Sequence, residues 1–109
     1  MKLVILESPY AASDRMRVED FADYARRCVA DSLSRKEAPL ASHLLYTQPG
    51  ILDDTNPAQR AQGIAAGHAW YIHAGRCVVY VDYGISDGMR EGMERAEHFN
   101  VPVERRTIL

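Results

Sequence analysis

A chain of 109 residues is long enough for one domain and too short for two, and its 47% hydrophobic and 26% charged residues exclude a disordered or low-complexity polymer. The formal net charge of −2 arises from basic residues interleaved with acidic ones, which leaves no cationic stripe and excludes a nucleic-acid polymer as the main partner. No apolar run approaches the roughly 20 residues of a membrane span and the short N-terminal run is not a signal segment, so the chain reads as cytoplasmic with no membrane partner.

Lys2–Glu7 is an apolar run that stops at Ser8-Pro9, where the proline ring removes a ladder donor, and it reads as the first strand. From Val18 to Lys36, Phe21, Ala25, Cys28, Val29, Ser32 and Leu33 recur at helical spacing. Glu19, Asp20, Arg26, Arg27 and Asp31 lie mostly opposite, which predicts the first helix. Pro39 introduces Leu40–Tyr46, read as the second strand. Thr47–Asn56 contains Pro49-Gly50 and Asp53-Asp54 and is a loop. Asn56-Pro57 sets an N-cap residue before a proline at the first helical position, so a second helix starts there. It runs through Gln59, Ala61, Ile64, Ala65, His68 and Ile72 to about Ala74, with Gly75 ending it. Trp70 shares a face with Gly63, Ala66 and Gly67, which suits either ordinary core or a close helix contact between subunits.

Arg76–Asp82 is β-branched and apolar almost throughout, as a central parallel strand covered on both faces should be. Tyr83-Gly84-Ile85 turns the chain, Ser86 caps, and Met89, Met93 and Ala96 give the next helix its buried stripe as far as Asn100. Val101–Arg105 is a last strand, assigned to a sheet edge because of Pro102. Cys28 and Cys77 fall inside a helix and a strand and read as buried free thiols. The histidines are too scattered for a metal site to be predicted. The order β-α-β-α-β-α-β predicts α/β architecture over residues 1–109: a single three-layer domain, a four-stranded parallel sheet with helices on both faces. So small a domain buries a limited share of its surface, which predicts a homo-oligomer, a dimer or larger.

Ligands of open α/β sheets bind outside the carboxyl ends of the strands, which selects three segments. After the first strand, Glu7, Ser8, Pro9 and Tyr10 offer a carboxylate, a hydroxyl and a ring, with Tyr10 placed either to stack on a base or to pack within a turn. Arg15 and Arg17 follow before the first helix, where arginines can meet phosphates bidentately or lie solvated. The second segment is Ser42 and His43 with Tyr46 and Gln48, where His43 can orient a ribose hydroxyl or serve structurally. The third is Asp82, Gly84, Ile85, Ser86, Gly88 and Met89, a strand end, a glycine turn and a helix N-terminus suited to an anion. Asp82, Glu7 and Glu91 are the carboxylates that can meet there as an acid, a nucleophile or a ribose clamp.

Across nearly the whole chain, Glu7-Ser8-Pro9-Tyr10-Ala11, Ala38–Tyr46 and Asp82–Met89 with Glu94-Arg95-Ala96 resemble a small phage-type domain of unknown function. That domain is related to the nucleoside 2-deoxyribosyltransferases and the SLOG nucleotide-binding fold, so the resemblance implies a Rossmann-like domain. The enzymes cleave an N-glycosidic bond with a glutamate nucleophile on the helix after a Ser-x-Gly turn, a sugar-binding aspartate, and a tyrosine after the first strand. Tyr10, Ser86 and Gly88 match. The register puts Gly92 where the glutamate stands, with Glu91 one residue away, and no acid lies near Gly67 and Trp70 where the aspartate is expected. The resemblance thus implies a pocket that binds without a catalytic residue, a metal or a cofactor. The expected function is sequestration of a small nucleotide, an ADP-ribose-derived cyclic or modified signal, by a phage-type anti-defence sponge in the host cytoplasm. The alternatives are a nucleoside or nucleotide N-glycosidase or 2-deoxyribosyltransferase using Glu91 or Glu7, and an interaction module that binds no small molecule.

Overall fold

A computed structural model describes residues 1–10 and 17–109, which places Arg15 outside the described residues. Strand β1 (Lys2–Glu7) leads to helix α1 (Val18–Ser34), strand β2 (Glu37–Leu40), a short helix α2 (Ser42–Leu45) and helix α3 (Pro57–His68). A single 3-10 turn (Tyr71–His73), strand β3 (Arg76–Tyr80), helix α4 (Asp87–His98) and strand β4 (Val103–Arg106) complete the chain. All three strand pairings are parallel, in the order β2-β1-β3-β4.

Strand alternation sorts the core into two layers. Val4 and Leu6 of β1 with Val78 and Tyr80 of β3 pack on Tyr24 and Cys28 of α1. Their neighbours Ile5, Cys77 and Val79 face the other way, onto Tyr71 and onto Met89 and Ala96 of α4. The predicted three-layer α/β domain with its four-stranded parallel sheet is therefore the observed one. Cys28 and Cys77 are buried free thiols. No helix among the described residues is long and apolar enough to cross a membrane.

The second strand was expected over Leu40–Tyr46 and lies earlier, at Glu37–Leu40. Pro39 sits within it, opposite Val4, and is tolerated because β2 is an edge strand whose outer side needs no ladder donor. The residues read as strand instead turn into α2, whose first bonds run from the amides of Leu44 and Leu45 to the Ala41 carbonyl, 3.1 and 3.0 Å. Ser42 and His43 therefore stand on a helical turn. Helix α1 ends two residues early because Lys36 takes a left-handed φ of 65° to enter β2. Helix α3 ends at His68, before the expected Ala74, and leaves Ile64 and Ile72 exposed. Its small-residue face is used within the chain: a Cβ at Gly67 would lie 2.4 Å from Ser42 Oγ, and one at Gly63 3.2 Å from Leu52 Cδ1. β4 begins at Val103 rather than Val101, at the edge that Pro102 suggested.

A buried ion pair joins the two edge strands beneath α1. The Arg106 guanidinium donates to both oxygens of Glu37, 2.7 Å each, and Ser32 Oγ donates to Glu37 Oε1 at 2.8 Å. Arg106 also donates to the Tyr80 hydroxyl, 3.3 Å, which in turn donates to Asp31, 2.7 Å. The guanidinium holds the Glu37 carboxyl well below its ordinary range, at about 2.

Candidate functional site

The carboxyl ends of β1 and β3, together with α2 and the start of α4, enclose a cleft of about 890 Å³. Local rules build its rim. β3 gives way to a turn in which Gly84 adopts φ 86°, a conformation that costs glycine little. The chain then enters α4 through Ser86, whose Oγ accepts from the Met89 amide at 3.2 Å. β1 ends at Glu7 and continues through Ser8, Pro9 and Tyr10, all of which line the cleft.

Most of the sequence candidates converge here. Ser42 and His43 form one wall, and Ile85, Ser86, Gly88 and Met89 another, with Glu91 at the rim. Gly84 shapes the turn without lining the cleft. Arg17 is not among the described lining residues: as the N-cap of α1 its backbone N–H donates to Asp20 Oδ2 at 2.9 Å, and its exposed guanidinium lies 3.5 Å from Glu19. Asp82 lines the cleft but its carboxylate is already engaged. It accepts from the Tyr24 hydroxyl at 2.5 Å and from the amides of Ile108 and Leu109 at 3.1 and 2.9 Å. Burial opposes its charge, yet these bonds keep the carboxyl below its usual range. The carboxylate thereby ties residues 108 and 109 to the end of β3 and to α1.

Sequence reasoning missed several lining groups. Phe21 and Tyr83 meet edge to face with centroids 6.1 Å apart, and Asp54 and Arg60 form an ion pair of 2.9 Å on the far side. Arg60 is the one guanidinium among the described lining residues, and Asp54 occupies it. Asp87 and Glu91 add further negative charge. Among the described lining residues, carboxylates therefore outnumber guanidiniums.

On the α2 side, Ser8 Oγ and His43 Nε2 share a hydrogen bond of 2.8 Å, and Tyr10 packs edge-on against the imidazole with centroids 6.1 Å apart. Burial pushes His43 down to about 4, so the ring is neutral at physiological pH. At the floor, the Tyr71 hydroxyl donates to Glu7 Oε1. Burial outweighs this bond and pushes the Glu7 carboxyl up to about 7. Room for that carboxyl exists because α4 carries no side chain opposite it. A Cβ at Gly92 would lie 2.5 Å from Glu7 Oε1 and 2.6 Å from the Tyr71 hydroxyl.

The two shifts have opposite linkage. Between about 4.5 and 7 the folded state keeps a Glu7 proton that the unfolded chain has released, so this contribution falls as pH rises. Between about 4 and 6.5 the unfolded chain binds a His43 proton that the folded state refuses, so that contribution rises with pH. Glu7→Gln is therefore expected to expose a rise in stability up to about 6.5, and His43→Gln a fall from about 4.5 to 7. Urea denaturation of both variants across this range checks the signs, and pH profiles of the same slope would contradict them.

No curated protein matches this chain. Among solved structures, it is similar to a 2-deoxyribosyltransferase from the psychrotolerant bacterium Bacillus psychrosaccharolyticus, with a TM-score of 0.65 at 11% identity. The match covers 96% of this chain and 72% of that one, and at such an identity it shows the fold. A family model described as a domain of unknown function (DUF7768) matches residues 2–106.

Proposed function

The chain belongs to the DUF7768 family, and on that footing we propose that its cleft binds a small nucleoside-containing ligand and holds it without cleaving it. The observation that carries this reading is the cleft itself. Its 890 Å³ suit a base with its sugar, it lies at the carboxyl ends of parallel strands, and Tyr10, Phe21 and Tyr83 give its lining an aromatic character. The solved neighbour, which its own description presents as a biocatalyst for the synthesis of nucleosides, supports the same ligand class. An ADP-ribose-derived signal, sequestered by a phage-type anti-defence sponge, is the more specific form of the proposal. With Arg60 paired to Asp54, such a ligand would keep its nucleoside inside and its phosphates outside the cleft in solvent, away from Asp87 and Glu91.

A second reading, N-glycoside cleavage, is favoured by one observation: Glu7 brings a buried carboxyl against Gly92 on α4. The two readings separate when the protein is incubated with nucleosides, nucleotides and ADP-ribose signals, freed of unbound ligand and heat-denatured, and the released material is weighed by mass spectrometry. Intact ligand in stoichiometric amount supports holding, and free base supports cleavage. Recovery of neither overturns both.

Gly88 offers a direct test of location, because it lines the cleft and a Cβ built there meets nothing within 4 Å. Gly88→Trp is expected to fold normally and lose at least roughly ten-fold in affinity, about 1.4 kcal/mol. Calorimetric titration with a retained nucleoside, beside a thermal melt, measures both. Undiminished binding by the folded variant would place the ligand elsewhere.

A further inference from the structure

Glu7 lines the cleft at the carboxyl end of β1, and its setting limits what it can do. Tyr71, buried in the α4-side core, donates to Oε1, which leaves the second oxygen as the one a ligand would meet. Gly92 leaves the carboxyl its space, and a Cβ there would overlap both Glu7 and the Tyr71 hydroxyl. The guanidinium of Arg60 is tied to Asp54, so no free guanidinium among the described lining residues balances a negative charge at the floor. A carboxyl in such a place either recruits a cationic ligand or keeps its proton and donates it.

We propose that Glu7 is a specificity-determining residue that recognises an uncharged nucleoside by donating its acid proton to a hydrogen-bond acceptor, a carbonyl oxygen or an unprotonated ring nitrogen. This deepens the nucleoside-binding reading and rests on it. It assigns Glu7 a recognition role that holds whether the ligand is kept intact or cleaved.

Affinity should then follow the acid form of Glu7. The titratable and charged groups around it are Tyr71 from the turn after α3 and Cys77 from β3, with His68 edge-on to the Tyr71 ring, Arg95 of α4 acting on both Tyr71 and His68, and Glu91 of α4 acting on His68. Burial pushes Tyr71 up and Cys77 up to about 12, so neither changes charge near neutrality. His68 is held below its ordinary value, chiefly by burial. Glu7, at about 7, is left to govern the slope above neutrality.

The experiment is calorimetric titration of the full chain with inosine and with uridine, whose bases present carbonyl oxygens, at pH values near 5.5, 7 and 8.5. Wild-type affinity is expected to drop roughly thirty-fold across that range, following the loss of the acid form of a group that titrates near 7. Glu7→Gln carries an N–H that cannot ionise, so it should flatten the profile and exceed the wild type at the highest pH, while Glu7→Ala should bind weakly throughout. His68 and the other neighbours are unchanged in the glutamine variant, so a flat profile there assigns the slope to Glu7. Wild-type affinity that ignores pH, or a glutamine variant no better than alanine, overturns the donor role and leaves nucleoside binding standing. Failure of the wild type to bind either nucleoside at any pH overturns the nucleoside-binding reading, and this proposal with it.

Discussion

Gly92→Ala, a substitution that should favour a helix interior by helix propensity alone, is expected to destabilise the domain by about 1–3 kcal/mol and to abolish ligand binding. The added methyl would sit 2.5 Å from Glu7 Oε1, 2.6 Å from Glu7 Cδ and 2.6 Å from the Tyr71 hydroxyl. The carboxyl can swing away only by leaving Tyr71. The tyrosine ring cannot move, since it is buried against the sheet and meets His68 edge-on with centroids 5.6 Å apart. For a domain of this size, each lost kcal/mol lowers the melting temperature by roughly 4–8 °C. The cause can be isolated in a Glu7→Ala, Tyr71→Phe background, where both obstructing groups are gone. There the same methyl should be neutral or stabilising by up to about 1 kcal/mol, because alanine then brings only its helix propensity. A Gly92→Ala protein that melts higher than the wild type would refute the packing argument.

The second large effect lies at the ion pair beneath α1. Arg106→Leu leaves the Glu37 carboxylate buried among groups that cannot compensate it, and removal of one partner from such a pair costs about 3–5 kcal/mol. That approaches the whole stability of a marginal small domain, so partial unfolding at 37 °C is the expected result. Replacing both partners by leucine should recover much of the loss, because no charge then remains to be desolvated. The pH dependence distinguishes this cause from mere loss of packing. In the wild type, Glu37 contributes stability above its unfolded value of about 4.5 that is lost as pH falls toward 2. In Arg106→Leu the carboxyl gains nothing from charge and prefers its proton, so the variant should gain stability relative to the wild type as pH falls from 6 toward 4. Urea titrations at both values measure the difference, and a constant gap between the two proteins would argue against an uncompensated carboxylate.

What could be read from the residues was local chemistry. Asn56 before Pro57 marks a helix start, and its side chain accepts from the amides of Ala58 and Gln59 at 3.0 and 3.2 Å. Ser86 before the Met89 stripe marks another. The run Arg76–Tyr80 reads as a covered strand because both its faces are apolar. The errors came where position in the sheet decides meaning. Pro39 forbids a central strand and suits an edge, and nothing within residues 37–46 says which applies. The long-range pairs, Tyr71 with Glu7 and Arg106 with Glu37, leave no periodic trace, because their partners are chosen by the crossovers and not by spacing. Gly92 is the instructive case. Aligned by register it looks like a lost carboxylate, whereas in three dimensions it is the vacancy that a carboxylate from β1 occupies.

The all-parallel sheet also dictates how the chain reaches its native state. Lys2 must find Glu37, and Val4 must find Arg76, before any of the described ladders exists, so no hairpin among the described residues offers an early local nucleus. Loop-closure entropy precedes every reward from pairing, which predicts folding in milliseconds to seconds rather than microseconds. Glu7 pairs with Val79 at the very end of the β1–β3 register. The cleft floor thus comes into being at the moment the two central strands meet, and conservative truncations at Ile5 or Val79 should slow refolding more than those at Val103, on the edge strand.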